Sequence, residues 1–113
     1  MNHTTPEMQQ CIQNCQECHA MCLQMAANHC LAVGGAHVEQ SHFRLMMDCA
    51  QICQTSADFM LRGSTHQAHV CAECADICDD CAKSCETVGD MDECVAACRK
   101  CAESCRQMAA MTM

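Results

Sequence analysis

Tryptophan and tyrosine are absent from the chain, and its whole aromatic complement is two phenylalanines, Phe43 and Phe59. Cations are scarce too: six Lys and Arg stand against fourteen Asp and Glu, a formal net charge of −8. Without a basic patch or an aromatic stacking set, nucleic acid is excluded as a partner. No apolar run approaches the ~20 residues needed to cross a bilayer, so no membrane span is expected. The opening Met1–Pro6 has neither a basic segment leading into an apolar one nor a twin-arginine pair, so the expected compartment is the reducing cytoplasm. Proline occurs once, at Pro6, and no strand-like alternation competes with helix. No nucleophile, base and orienting group fall into a recognisable set, so an enzyme is not expected.

Aliphatic residues are also few, with only twelve Ile, Leu and Val in 113 positions. In their place stand 16 cysteines and 11 methionines. Burying a large aliphatic side chain stabilises by roughly 1.5–3 kcal/mol, and a cysteine contributes less because it is smaller. A core built from cysteine alone would be weakly held and underfilled, so something else is expected to occupy it. At this length residues 1–113 read as one domain.

The cysteines are ordered. Cys94, Cys98, Cys101 and Cys105 follow a C-x3-C-x2-C-x3-C spacing, which recurs at Cys11, Cys15, Cys18 and Cys22 and at Cys74, Cys78, Cys81 and Cys85. Steps of four, three and four mark one face of an α-helix, and each set falls within an arc of roughly 60°. Four helices are expected, at about Pro6 to Val33, Ala36 to Arg62, Thr65 to Val88 and Met91 to Met111. Gly34-Gly35, Gly63 and Gly89 separate them. Thr4 or Thr5 can cap the first, and Ser64-Thr65-His66-Gln67 has the form of a capping box for the third. The short connections make the architecture all-α, an antiparallel up-down-up-down four-helix bundle with a cysteine-lined core.

The inward face of the first helix reads Met8, Cys11, Cys15, Cys18, Cys22, Met25, His29. The second helix carries His42, Met46, Cys49, Cys53, Ser56 and Met60 on its stripe and is poor in cysteine. The third adds Cys71 to its set. Cys30 directly follows His29 and is expected to point about 100° away from the stripe.

Four chemistries use thiols in such numbers. Disulfide scaffolds are small and loop-rich, and i, i+4 pairs along one helix are poorly aimed for an S–S bond. Iron–sulfur ligands sit in irregular loops rather than on repeated helical faces. Zinc takes four thiolates, or three and an imidazole, and isolated sites would employ roughly four to eight of the cysteines. Copper(I) fits best: it is soft, content with two or three thiolates, and makes no strict geometric demand. If each ion takes two sulfurs and each sulfur bridges two ions, capacity is about one Cu(I) per cysteine. Each Cu⁺ then cancels one thiolate charge, which removes the cost of burying those charges. The candidate ligands are Cys11, Cys15, Cys18, Cys22, Cys30, Cys49, Cys53, Cys71, Cys74, Cys78, Cys81, Cys85, Cys94, Cys98, Cys101 and Cys105. A low-stoichiometry copper or zinc metallochaperone or buffer, and a thiol redox sensor, remain as alternatives.

With these spacings on bundle helices, the chain resembles the bacterial copper storage proteins along essentially its whole length. The resemblance implies storage of multiple Cu(I) ions along the bundle axis and assembly as a homotetramer. The missing export signal resembles the cytosolic branch of that family.

The remaining soft and polar groups collect toward the two ends. His29, His37, His42, Met46 and Met91, with Met47, belong to the end holding the first connection. That end reads either as a half-exposed polar cap or as a port where weak soft donors pass Cu(I) inward. Met8, Phe59, Met60, Leu61, Val70 and Met108 read as an apolar plug at the other end, although its methionines could equally form the port. His3 and His19 read as solvated. Ile12, Leu23, Ile52, Ile77 and Val95 lie off the thiol stripes and are expected to pack helix on helix or to face an oligomer partner.

Overall fold

The computed structural model describes residues 5–111, and among them there are four long helices and no strand. Helix α1 begins as Pro6–Gln24, with Thr5 Oγ1 accepting the N–H of Met8 at 3.1 Å and Pro6 and Glu7 in the first turn. That hydroxyl satisfies one of the helix's orphan donors, and proline loses nothing there because its N–H would have had no partner. Thr4, the other candidate cap, and His3 lie outside the described residues.

The chain continues through a wide π-helical turn at Met25–Cys30 and a last α-helical turn at Leu31–Val33. Gly34, at φ 73°, takes a backbone conformation that side chains resist and ends the helix. A 3-10 turn at Gly35–Val38 leads into α2, Gln40–Leu61. The Glu39 carboxylate caps α2, accepting the Ser41 hydroxyl at 2.6 Å and the His42 N–H at 3.1 Å. Helix α3 is Gln67–Val88 and α4 is Asp92–Met111, with Asp92 and Glu93 at the positive end of the α4 dipole.

The capping box expected before α3 does not form. Ser64 Oγ accepts the N–H of His66 at 3.0 Å, in a local turn, and is not available to Gln67. The Gln67 N–H reaches the Ser64 carbonyl instead, and Gln67 Oε1 is buried without a hydrogen-bond partner. The helix accordingly starts at Gln67 rather than near Thr65.

Each helix packs on two neighbours: α1 on α2 and α4, and α3 on α2 and α4. The result is a four-cornered bundle measuring 48 × 21 × 19 Å. Its antiparallel sense is written in the thiol pairs. Cys11, Cys15 and Cys18 of α1 meet Cys105, Cys101 and Cys98 of α4, one rising as the other falls. Likewise Cys49 and Cys53 of α2 meet Cys78 and Cys74 of α3. Short antiparallel connections and one soft stripe per helix lead to this square, as expected of an up-down-up-down bundle.

Alanine flanks the thiols. Ala26, Ala50, Ala57, Ala75, Ala82 and Ala102 are all buried, so the helices approach closely around a narrow column. Ile12 is buried, and Ile52, Ile77 and Val95 pack part-buried against the core, whereas Leu23 is 39% exposed and makes no core contribution of that kind. Outside, Arg99 binds Glu86 and Arg106 binds Asp79, both at 2.8 Å, lacing α4 to α3. Exposed pairs of this kind contribute at most about 1 kcal/mol each.

Candidate metal centre

All sixteen cysteines are free thiols with zero exposure. Their helical spacing turns all of them but Cys30 toward the bundle axis, where neighbouring sulfurs touch. Starting from the end of α4, Cys11 and Cys15 of α1 lie 3.7 and 3.4 Å from Cys105. Cys15 lies 3.6 Å from Cys101, which lies 3.7 Å from Cys53. Cys53 meets Cys78 at 3.5 Å, Cys78 meets Cys49 at 3.7 Å, and Cys49 meets Cys22 at 3.7 Å. Cys22 in turn lies 3.6 Å from Cys98. Sulfur therefore follows sulfur along the axis without an intervening apolar layer. Four overlapping groups of four thiols, drawn from Cys15, Cys18, Cys22, Cys49, Cys53, Cys74, Cys78, Cys98, Cys101 and Cys105, have all their sulfurs within 4.8 Å of one another.

Cys30 corrects the sequence expectation. On a straight α-helix the positions following Cys22 on the inner face would be Met25 and His29, with Cys30 turned away. The π-helical turn spreads one extra residue over that segment, so the inward positions become Ala26 and Cys30, both at zero exposure. Met25 and His29 are only half-buried. Cys30 Sγ lies 4.0 Å from Met91 Sδ, and burial, with Cys94 and Cys81 nearby, pushes its thiol up from the ordinary value of 9.0.

Within the column the thiols set each other's titration. Cys101 is lowered first by the hydrogen bond of Cys105, while Cys105 is raised first by Cys101. A proton leaves one sulfur more readily because the neighbour donates to it, and the donor holds its own proton more tightly.

The end of the bundle nearest the first connection carries different donors. Met46 Sδ accepts from Cys81 Sγ at 3.6 Å and from Cys85 Sγ at 3.4 Å, and both Met46 and Met91 are buried. The rings of His29 and His37 meet edge to face with centroids 5.3 Å apart. His37 Nε2 lies 3.1 Å from the Gly89 carbonyl, and His29 Nε2 lies 3.5 Å from Asp90 Oδ2. His42 is 3% exposed, with Nδ1 2.7 Å from Ser84 Oγ and Nε2 buried without a hydrogen-bond partner. Burial foremost pushes its imidazole below the ordinary value, which favours the neutral ring. A surface cleft of about 390 Å³, lined among others by Glu39, His42, Lys83 and Ser84, opens beside it. The structure thus gathers His29, His37, His42, Met46 and Met91 at one end, while Met47, at 41% exposure, stays on the surface.

Ser84 was not singled out from the sequence, because its contact with His42 crosses from α3 to α2 and only the interhelical register discloses it. His19, expected to be solvated, is half-buried, its Nδ1 2.8 Å from the Ala50 carbonyl. At the far end Met60 and Met108 are buried and Met8 packs against the core. Leu61, at 56% exposure, falls outside that plug because it follows Met60 around the helix.

Comparison with known proteins agrees with this geometry. Residues 4–110 match the family described as copper storage protein (Csp). A protein of Nitrosospira multiformis, known from its crystal structure, is 58% identical, covers 96% of this chain and 99% of its own, and superposes with a TM-score of 0.93. A Cu(I)-bound copper storage protein is 34% identical over 91% of this chain and 98% of its own, with a TM-score of 0.83. The apo copper storage protein 3 of Bacillus subtilis is 35% identical over 88% and 95%, with a TM-score of 0.72. No curated protein sequence matches the chain. A sequence match spanning all four helices, joined to a bundle whose axis is lined by thiols, has one reading: the chain belongs to the copper storage protein family.

Proposed function

We propose that this protein stores Cu(I), taking up about one ion per cysteine into the thiol column. The observation that carries the reading is that sixteen free thiols converge, fully buried, on one axis. Two- and three-coordinate Cu(I) can bridge successive sulfurs there, and each ion neutralises one thiolate as the proton leaves. A loaded column is then electrically neutral inside a bundle that buries no Lys or Arg among the described residues. The protein's role is sequestration, without catalysis.

Entry is assigned to the end that holds His29, His37, His42, Met46 and Met91. When His42 donates its Nδ1–H to Ser84, Nε2 is left as a buried lone-pair nitrogen, a suitable donor for a soft ion on its way inward. Met46, already in contact with Cys81 and Cys85, offers the next donor inward. The storage reading also includes a homotetramer, of about 50 kDa from chains of 12.4 kDa, and residence in the cytoplasm. The reducing cytoplasm would keep sixteen thiols unoxidised, and no helix among the described residues is long and apolar enough to cross a membrane.

The test is anaerobic titration of the reduced protein with Cu(I) against a chromogenic chelator. A plateau above about ten ions per chain is expected; saturation at roughly one to four would make the protein a carrier instead. Light scattering on the same sample reads the assembly, with a monomer counting against the tetramer.

A further inference from the structure

Cys18, Cys22, Cys49 and Cys98 form the most even group in the column. All six separations among their sulfurs lie between 3.6 and 4.0 Å. Four points with six nearly equal edges are the corners of a regular tetrahedron. The edges average about 3.8 Å, which puts the centre about 2.3 Å from every sulfur, the length of a zinc–thiolate bond. By contrast, in the group of Cys15, Cys74, Cys101 and Cys105 the separations already run from 3.4 Å to 4.0 Å.

A tetrahedron of thiolates is the arrangement that Zn²⁺ adopts and that Cu(I), content with two or three sulfurs, does not require. Three long helices hold this one: α1 supplies Cys18 and Cys22 one turn apart, α2 supplies Cys49, and α4 supplies Cys98. The donors are already gathered, so little ordering has to accompany binding.

We propose that the reduced, copper-free protein binds one Zn²⁺ in the cage of Cys18, Cys22, Cys49 and Cys98, and that Cu(I) displaces it on loading. As Zn²⁺ enters, the four thiols release four protons, and the site carries a net charge of −2. Cys78, 3.7 Å from Cys49, can donate its S–H to that thiolate and spread the charge. A second such site beside the first would double a buried charge that has no counter-ion, which limits the chain to one zinc. Four Cu⁺ taking over the same four thiolates leave a neutral cluster and return one Zn²⁺ to solution. The displacement step rests on the storage reading; the zinc cage itself rests on the sulfur geometry.

The experiment titrates the reduced full-length protein with Zn²⁺ alone, anaerobically, against a chromogenic zinc chelator, with X-ray absorption at the zinc edge. One tight equivalent with four sulfur neighbours at about 2.3 Å is expected. Cys98→Ser and Cys22→Ser should each weaken it at least tenfold, whereas Ser56→Ala leaves it unchanged; circular dichroism verifies that each variant remains helical. Absence of uptake, nitrogen or oxygen neighbours from the histidine-bearing end, or unchanged affinity in folded Cys98→Ser and Cys22→Ser, overturns the proposal. Adding Cu(I) to the zinc-loaded protein should release one zinc, and retention of zinc at full copper loading overturns the displacement. A protein that fills with Cu(I) yet refuses zinc sinks this inference alone, and one that takes a single zinc but saturates at a few Cu(I) sinks the storage reading alone.

Discussion

Cysteine 30 and methionine 46 do different work at the same end of the column. Cys30 is buried 4.0 Å from Met91 Sδ and belongs to the thiol inventory. Cys30→Ala should lower copper capacity by about one ion, read by chelator titration, and leave the helices intact. Met46 offers a thioether, a weak donor in contact with two thiols. Met46→Leu keeps nearly the same volume and costs less than about 1.5 kcal/mol in stability. Its expected signature is slower uptake of Cu(I) in stopped flow with capacity unchanged. A drop in capacity with unaltered rate would make Met46 a storage ligand and not part of a port.

At the scale of the element, the first helix shows where sequence reading succeeds and where it stops. The spacing of Cys11, Cys15, Cys18 and Cys22 determines the inner face of α1, because no other secondary structure aligns steps of four, three and four. Past Cys22 the pattern is ambiguous: Met25 and His29 continue the α-helical stripe as well as Ala26 and Cys30 continue a widened one. Propensity does not separate the two. The packed bundle does, since burying a thiol at position 30 costs less than burying a histidine lacking partners. For a similar reason the Ser64 turn was not legible as such, because a hydroxyl that can cap a helix can equally close the turn before it. The π-helical turn is equivalent to one inserted residue. Deleting the exposed Ala27 should therefore restore regular α-helix while Cys30 stays inward. The measurement is thiol accessibility to a chromogenic disulfide reagent: no thiol should react quickly in either protein. A single fast-reacting thiol in the deletion variant would show that the wide turn does more than absorb one residue.

For the whole molecule, protons and copper compete for the same sulfurs. Burial holds the Cys30 thiol above its ordinary value of 9.0 in the folded apo form. A group raised in this way stabilises the fold below that ordinary value, and the contribution is lost as pH rises through the folded-state value. Through Cys30 the apo protein should lose stability as pH rises above about 9, a decline that Cys30→Ala should lessen in thermal melts. Copper reverses the sign: each thiolate bound to Cu⁺ must give up a proton, so loading weakens as pH falls. Chelator competition from about pH 7.5 to 5.5 should show falling copper affinity, and a flat profile would mean that thiolates are not the ligands. Ions bound only by the folded state also raise its melting temperature with loading.

The proposed entry end has a bearing on the order of traffic. If Cu(I) enters only at the proposed end of His29, His37 and His42, with Met60 and Met108 buried at the other, the column has one mouth. Such a column behaves as a stack in which the latest arrival stands nearest the exit. Copper loaded as one isotope and topped up with another should come out under a chelator with the second isotope leading, and the deepest ions would be the protein's long-term reserve.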